Sequence, residues 1–363
     1  MKALFVAADL SLQAGIAHGK KMIEEPSELN QSEIIVETIP CPLCGSSEFD
    51  HVMTNRDWLC GVPGEYQFVE CSSCTHVFLN PCPIDASLPA CYPDDYGPHQ
   101  QATQSSDPDL DYKPWYARPP IRWIPGIRPL YHWLSRDDSQ VIPVPDPQHN
   151  RALEVGTGRG DFLTKLRDAN WSAQGIEPSP AAADIARSLG HSVETGTIES
   201  SNLPDHTFDA VFAWMVVEHV KSPPQFFERV SRFLTPGGKL YFSVPNYESL
   251  ERRFFGKYWP AWDAPRHLHQ FRPRILRQLL SDAGFTEIRV SNHRSVRDYF
   301  GGTGLWLLNR NPNSRLGKTL LNWFLVAPPM FVHLACAPVA ILLSWLKTTG
   351  QLTVTAKMPT GES

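Results

Sequence analysis

The chain has 363 residues, a formal net charge of −5 at pH 7 and a sequence pI of about 6.2. This length suffices for two or three modules around one sizeable core. The slightly acidic balance argues against a nucleic-acid partner, because nucleic-acid binders usually carry a strongly basic domain.

The first predicted segment, residues 1–36, is an extension that we expect to be poorly ordered. Its opening apolar run is interrupted by Asp9, and no clear cleavage site precedes Lys20 and Lys21. These features argue against a secretory signal peptide. The sequence therefore predicts a cytoplasmic protein.

Cysteines are concentrated in the second segment, residues 37–95, which holds seven of the eight in the chain. Cys41 and Cys44 form one C-x-x-C pair, and Cys71 and Cys74 form another. Four thiolates in two close pairs suit tetrahedral Zn²⁺ with bonds of about 2.3 Å, and such a closed site is structural. The alternatives are a redox dithiol or two disulfides, which a cytoplasmic setting disfavours. We predict a zinc-ribbon module.

Residues 96–148 form a bridge that is rich in proline and aromatic residues. The aromatic residues are too numerous for a free linker, so we predict a partly helical segment that packs on the following domain. It either forms one wall of a substrate pocket or simply completes the core next to the first strand. Prolines between residues 141 and 147 mark the start of the next fold.

A glycine turn between a predicted strand and a predicted helix follows at residues 154–160. Gly156, Gly158 and Gly160 allow a ligand to approach bare backbone amides at a helix N-terminus. The dinucleotide fingerprint has one more residue before its third glycine. Glu154 would repel a pyrophosphate but suits a cationic ligand. The turn therefore favours S-adenosylmethionine over a dinucleotide, and a tight turn without a ligand is the third interpretation.

Carboxylate and imidazole groups follow two later strands of the predicted sheet. Glu177 ends the second strand, where it could accept hydrogen bonds from both ribose hydroxyls. Glu218 and His219 follow the fourth strand, at the edge where open α/β sheets bind ligands. His219 titrates near neutrality and is the predicted general base, with Glu218 beside it. The alternative is that the pair caps the next helix and braces the donor pocket.

Aromatic and cationic residues between positions 258 and 269 form the predicted acceptor site. Tyr258 and Trp262 suit stacking on a sugar or another ring, and Arg266 suits a phosphate or a carboxylate. His267 is a further catalytic candidate. The alternative is that Arg266 and His267 form an internal hydrogen-bonded brace for a lid.

An apolar insertion is predicted at residues 303–347. Its part from 319 to 346 has no Asp, Glu, Lys or Arg and exceeds the roughly 20 residues that span a bilayer. Pro328–Pro329 breaks this stretch. Residues 350–357 are predicted to form the last strand of the sheet, so both ends of the apolar segment must lie on the same side of a membrane. We expect a re-entrant or interfacial hairpin at the cytoplasmic face of the membrane. A buried helical cap or a dimer interface is the alternative.

Residues 150–360 resemble the class I S-adenosylmethionine-dependent methyltransferases. The order and spacing of several short blocks carry the resemblance: 152–160, 175–179, Leu203-Pro204, 208–211, 218–220, 234–238, 243–246, 259–268 and 282–285. The resemblance implies an α/β fold with a Rossmann-like seven-stranded sheet over residues 149–360. The most similar subgroup carries an N-terminal zinc module and modifies sugars or glycan precursors.

The resemblance also implies a role for each donor-site residue. Gly156 and Gly158 would lie under the methionine part near Glu154, and Glu177 would hold the ribose. Further contacts would come from the residues that border the adenine or close over the donor: Thr197, Ile198 and Trp214. The acid that relatives often have after the third strand is absent here.

Three hypotheses follow. The first is methyl transfer from S-adenosylmethionine to a sugar or lipid-linked glycan precursor, with His219 as the general base. The second keeps the reaction but assigns O-methylation of a quinone-like or other lipophilic small molecule. The third is a non-catalytic scaffold that binds the donor. Predicted partners are the acceptor and a membrane surface contacted through residues 319–346, and a homodimer is left open.

Overall fold

The structure, a computed structural model, describes residues 34–93, 140–326 and 328–361. Its strands are β1 (Val36–Glu37), β2 (Phe49–Asn55), β3 (Tyr66–Cys71), β4 (Val77–Leu79), β5 (Cys82–Pro83), β6 (Arg151–Val155), β7 (Ser172–Glu177), β8 (Ser192–Thr195), β9 (Phe208–Trp214), β10 (Leu234–Pro245), β11 (His269–Gln270), β12 (Thr286–Asn292) and β13 (Gln351–Lys357). Its α-helices are α1 (Asp161–Asp168), α2 (Pro180–Ser188), α3 (Pro223–Phe233), α4 (Leu250–Phe255), α5 (Pro273–Asp282), α6 (Arg297–Arg310), α7 (Arg315–Leu325) and α8 (Met330–Trp345).

The described residues form two compact units. We call the first the cysteine unit; it comprises residues 34–93, 247–270 and 296–329 apart from residue 327. We call the second the sheet unit; it comprises residues 140–246, 271–295 and 330–361.

The sheet unit contains one seven-stranded sheet with the order β12-β13-β10-β9-β6-β7-β8. Strands β6 to β10 run parallel, whereas β13 is antiparallel to both of its neighbours. The predicted seven-stranded α/β sheet is confirmed, and so is the last strand, which pairs with β12 as expected. The chain proceeds outward from β6 to β8 and then returns to the other side of β6. Such a reversal opens a crevice at the carboxyl ends of the two central strands, β6 and β9.

The core of the sheet unit follows from burial on both faces of the central strands. Four of the five residues of β6 are buried, as expected for parallel strands that are covered by helices. Helix α1 buries Phe162, Leu163 and Leu166, which share one face at helical spacing. Phe162 packs on Phe212 of β9 with ring centroids 5.2 Å apart. This packing fixes α1 and the glycine turn before it relative to the sheet.

The cysteine unit is larger than the predicted 37–95 module. Its four-stranded antiparallel sheet has the order β11-β4-β3-β2, so residues far along the chain supply the edge strand β11. Trp259 and Trp262 are fully buried in its core, where Trp262 packs on Phe68 at 4.7 Å. The separate zinc module expected from the sequence is therefore completed by two later segments of the chain.

The predicted boundaries also differ at the N-terminal side. Residues 34–36 of the predicted extension belong to the cysteine unit, because β1 pairs with β5 and the Ile35 amide donates to Ser87 Oγ at 3.1 Å. The remainder of the extension, and the bridge from residue 96 to 139, lie outside the described residues.

The predicted apolar insertion is divided between helices. Pro328–Pro329 lies between α7 and α8, as expected, but α7 belongs to the cysteine unit and α8 to the sheet unit. Helices α6 and α7 pack closely, because a Cβ on Gly304 would lie 2.8 Å from the Leu321 amide nitrogen. Over the residues that the structure describes, no helix is long and apolar enough to cross a membrane.

Candidate functional site

The glycine turn after β6 lies against the segment that follows β9. The Gly156 amide donates to the Ile176 carbonyl at 2.8 Å, and the residue has a φ of 73°. A Cβ at this position would lie 2.6 Å from Cγ2 of Val216, so only glycine fits. The two loops at the switch point of the sheet are therefore in contact, where an α/β fold binds its ligand.

Glu177 joins the loops that follow β6 and β7. Its side chain is 3% exposed, and its two carboxylate oxygens accept hydrogen bonds from the amides of Gly158 at 2.7 Å and Ser179 at 2.9 Å. The Gly196 amide after β8 donates to the Glu177 carbonyl at 3.0 Å. Three predicted donor-site loops thus meet at one residue. The predicted role of Glu177 toward a ribose stays a prediction.

Two buried polar atoms near the central strands test whether the site suits S-adenosylmethionine. Among the described residues, Oε2 of Glu154 and Nε1 of Trp214 have no hydrogen-bond partner. Burial, followed by the charges of Glu177 and Asp161, raises the pKa of Glu154 well above its ordinary value. A cationic ligand would supply the charge and donors that this carboxyl lacks. The donor set therefore fits a ligand that carries an ammonium group.

The remaining residues predicted to bind the donor have fewer contacts that bear on a ligand. Gly160 begins α1 with a φ of 88°, and a Cβ there would lie 3.0 Å from Cβ of Ala186. Ile198 is buried, whereas Thr197 is exposed and its amide donates to Ser200 Oγ at 3.1 Å. Their predicted place beside an adenine stays a prediction.

The predicted catalytic pair lies in the turn that follows β9. The His219 amide donates to the Val216 carbonyl at 2.9 Å, and Val216 is the residue that faces Gly156. Glu218 is fully buried, while His219 is partly exposed. The backbone therefore ties His219 to the segment that contacts the glycine loop, and its predicted role as the general base stays a prediction.

Arg266 does not face solvent, which corrects its predicted use as an acceptor ligand. Its guanidinium is fully buried and pairs bidentately with Asp57 at 2.8 and 2.9 Å, and with Asp263 at 2.6 Å. It also donates to the Cys91 carbonyl at 3.1 Å. Burial alone would lower the pKa of Arg266, but the carboxylates of Asp263 and Asp57 raise it by more than burial lowers it. The guanidinium therefore keeps its charge. The geometry matches the internal brace that the sequence left as the alternative.

The other predicted acceptor residues have different environments. Trp262 is buried, and its indole nitrogen donates to the Gly256 carbonyl at 2.9 Å, so its ring serves the core. Tyr258 is partly exposed and accepts from Asn309 Nδ2 at 2.8 Å. His267 is buried, and burial lowers its pKa although Asp263 opposes this. The catalytic role of His267 stays a prediction.

Asp57 is the residue that sequence reasoning missed in this unit. Besides pairing with Arg266, it accepts hydrogen bonds from the amides of Leu59, Cys60 and Val62 at 2.9–3.0 Å. One carboxylate thus holds a loop and neutralises a cation. The only local signal was an acid before a turn, and nothing in the sequence connects it with a position 209 residues later.

The four predicted zinc ligands come together in the cysteine unit. The Sγ atoms of Cys41, Cys44, Cys71 and Cys74 all lie within 4.8 Å of one another, with two pairs at 3.5 Å. Tetrahedral bonds of about 2.3 Å would separate the sulfurs by about 3.8 Å, so the set fits Zn²⁺.

The thiols of this cluster differ in pKa. Burial raises the pKa of Cys41 and raises that of Cys74 to about 11. Burial also acts on Cys71, but hydrogen bonds from the backbone amides of Cys74 and Ser73 lower its pKa to about 7. A bound cation would favour all four thiolates.

Comparisons with known proteins agree with this geometry. Residues 134–290 match the family described as a methyltransferase domain. A malonyl-[acyl-carrier protein] O-methyltransferase of Serratia marcescens is 29% identical over 173 residues, which cover 45% of this chain and 66% of the relative. The chain thus spans slightly less than two thirds of that relative's length.

Two further similarities concern a second relative and a solved structure. A ubiquinone biosynthesis O-methyltransferase of Chelativorans sp. is 28% identical over 192 residues, covering 49% of this chain and 74% of the relative. A solved S-adenosylmethionine-dependent methyltransferase of Thermotoga maritima is 29% identical with a TM-score of 0.36, covering 42% of this chain and 69% of that one. The family match and the sequence relatives support a class I S-adenosylmethionine-dependent methyltransferase domain that includes residues 134–290.

Proposed function

We propose that the protein transfers a methyl group from S-adenosylmethionine to an oxygen atom of a lipophilic acceptor. The contact between the glycine loop and the turn that contains His219 carries this proposal, because the two loops meet at the switch point of the sheet, where an α/β fold binds its ligand. Two relatives are named as O-methyltransferases, which supports oxygen as the accepting atom.

His219 is the proposed general base. S-adenosylmethionine supplies the methyl group on a sulfonium. His219 takes the proton of the acceptor hydroxyl while the hydroxyl oxygen forms a bond to the methyl carbon. The carbon–sulfur bond breaks, and its electrons remain on sulfur. Such proton removal contributes roughly 10²–10⁴-fold to a rate. Alignment of the acceptor oxygen with the methyl group supplies a further part of the rate enhancement.

A lipophilic acceptor is favoured over the sugar that the sequence placed first. That choice depended on Arg266 and Trp262 as ligands, and both are buried in the cysteine unit. A relative that acts in ubiquinone biosynthesis supports a quinone-like ring with a hydroxyl group. The acceptor class is therefore the second of the two catalytic hypotheses.

A lipid-linked glycan precursor stays a second candidate because of one surface cluster in the cysteine unit. The Arg56 guanidinium lies 3.9 Å from the Trp58 ring centroid, and Trp58 packs on Tyr258 at 5.2 Å. Lys257 lies 5.3 Å from the Tyr258 ring. Exposed cations beside aromatic rings suit a phosphorylated sugar.

Labelled methyl transfer followed by phase separation distinguishes the acceptors. The purified chain would be incubated with methyl-labelled S-adenosylmethionine and an extract of the cells that make it. We expect label in the organic phase on a small apolar product. Label on an acid-labile sugar phosphate would support the glycan candidate instead, and label in the aqueous phase would contradict both lipid-borne acceptors.

We also propose that Cys41, Cys44, Cys71 and Cys74 hold one structural Zn²⁺. The metal would join the turn before β2 to the turn after β3. The sheet of this unit is small, and a small unit needs such support. Metal analysis of the reduced protein should give one zinc per chain. Cys44→Ser should lose that zinc and lower the melting temperature, whereas Cys336→Ser, outside the cluster, should change neither. A reduced, folded protein without zinc would contradict the assignment.

A further inference from the structure

The solvent-facing side of α8 is apolar along its length. Phe331, Val339, Leu342 and Leu346 recur at helical spacing and are 53–73% exposed, and Trp345 beside them is 70% exposed. We call these five residues the α8 face. Exposed apolar side chains are common singly, but a continuous row along one helix face marks a contact surface.

The α8 face is comparable in area to the largest apolar patch on a typical monomer. An aromatic side chain has about 150–250 Å² of surface, so Phe331 and Trp345 alone expose about 200–350 Å². The three aliphatic residues add to this area. The largest apolar patch on a typical monomer is about 300–600 Å² and is often functional.

The opposite side of α8 is fixed in the sheet unit. Ala337, Ala340 and Ile341 are buried, and Ser344 Oγ donates to the Asn292 carbonyl of β12 at 3.0 Å. The helix has 16 residues, which is about 24 Å at 1.5 Å per residue. It therefore presents its outer face as a fixed surface and is too short to span a bilayer.

Acidic residues are absent from the stretch of sequence that contains α8. From residue 299 to residue 361 the sequence contains no Asp or Glu, and its charged residues are Arg310, Arg315, Lys318, Lys347 and Lys357. Lys347 directly follows the exposed Trp345 and Leu346. Tryptophan and lysine at the end of an apolar helix face are typical of segments that lie in a membrane interface.

We propose that the α8 face docks on a lipid bilayer that contains anionic headgroups. The apolar residues would enter the boundary between headgroups and acyl chains, and Lys347 would meet a headgroup phosphate. A second copy of the chain would bring the same apolar residues and another Lys347, and no acidic residue, to the contact. Lys357 does not count toward this contact, because it pairs with Glu287 at 3.2 Å. This contact does not depend on methyl transfer, so the two proposals fail separately.

Vesicle flotation of the full-length protein tests the proposal. The parent would be mixed with vesicles of phosphatidylcholine alone and with vesicles that also contain phosphatidylglycerol. We expect flotation with the anionic vesicles. Leu342→Glu should weaken this binding at least about tenfold, because it places a charge in the apolar face. Leu189→Glu is the matched control, since Leu189 is an exposed residue that follows α2.

Each alternative outcome has a distinct signature. Unchanged flotation of Leu342→Glu, or a parent that stays in the aqueous fraction with both vesicles, would overturn the proposal. A parent dimer that Leu342→Glu converts to a monomer, without vesicle binding, would assign the face to a second copy instead. Retained S-adenosylmethionine affinity in each variant shows that the sheet unit is folded.

Discussion

Glu154 is the residue whose environment most directly indicates a cationic ligand. The carboxyl is buried, its Oε2 has no partner among the described residues, and its pKa is raised by burial. The sequence predicted the position from the acid before the glycine turn. It could not predict the raised pKa, because this depends on how completely the fold excludes water from the strand end.

Glu154→Gln should therefore have opposite effects on stability and on donor binding. Because the folded pKa lies above the unfolded value, the donor-free folded state retains the proton longer. The free energy of unfolding then falls as the pH rises from the ordinary carboxyl pKa to the raised one. In Glu154→Gln the free energy of unfolding should not fall over this pH range. At a pH above the raised pKa, the variant should therefore be more stable than the parent.

Glu154→Gln should weaken the binding of S-adenosylmethionine, although it stabilises the fold. The parent should bind S-adenosylmethionine more tightly as the pH rises and Glu154 ionises, and Glu154→Gln should bind about 10–100-fold more weakly at neutral pH, without that dependence. Calorimetric titration across pH measures both. Glu228→Gln on the exposed side of α3 is the control. Equal affinity in Glu154→Gln and the parent would remove Glu154 from the donor site.

At the scale of elements, the buried Arg266 brace connects three parts of the cysteine unit. Asp57 lies in the loop after β2, Cys91 ends the turn after β5, and Asp263 precedes β11. The composition of residues 258–269 correctly indicated a special segment. It could not distinguish a ligand site from a brace, because the deciding partner, Asp57, is remote in sequence.

Asp57→Ala should destabilise the protein strongly. Removing one partner leaves the guanidinium buried with one carboxylate and frees three loop amides, and such losses cost about 3–5 kcal/mol. Asp205→Ala is the control, because its pair with Arg229 at 3.4 Å is partly exposed and should contribute about 0–1 kcal/mol. Urea unfolding measures both. Equal midpoints for the two variants would mean that the Arg266 brace contributes little.

At the scale of the whole molecule, sequence reasoning worked best where a pattern is local. The glycine turn, the seven-stranded sheet, the break at Pro328–Pro329 and the last strand are confirmed. The division into units could not be predicted, because β11, α6 and α7 join the cysteine unit through contacts between remote segments. The expected cytoplasmic location and the inner-membrane contact stay predictions, and the vesicle experiment addresses the membrane contact.

The initial rate of S-adenosylhomocysteine formation is the sharpest test of methyl transfer with His219 as the general base. The purified parent and His219→Ala would be assayed with an organic extract as the source of acceptor, and donor binding would be measured for both. We predict extract-dependent turnover by the parent, a loss of about 10²–10⁴-fold in His219→Ala and unchanged donor affinity. Donor binding without turnover in the parent would contradict it and would identify a scaffold that binds the donor.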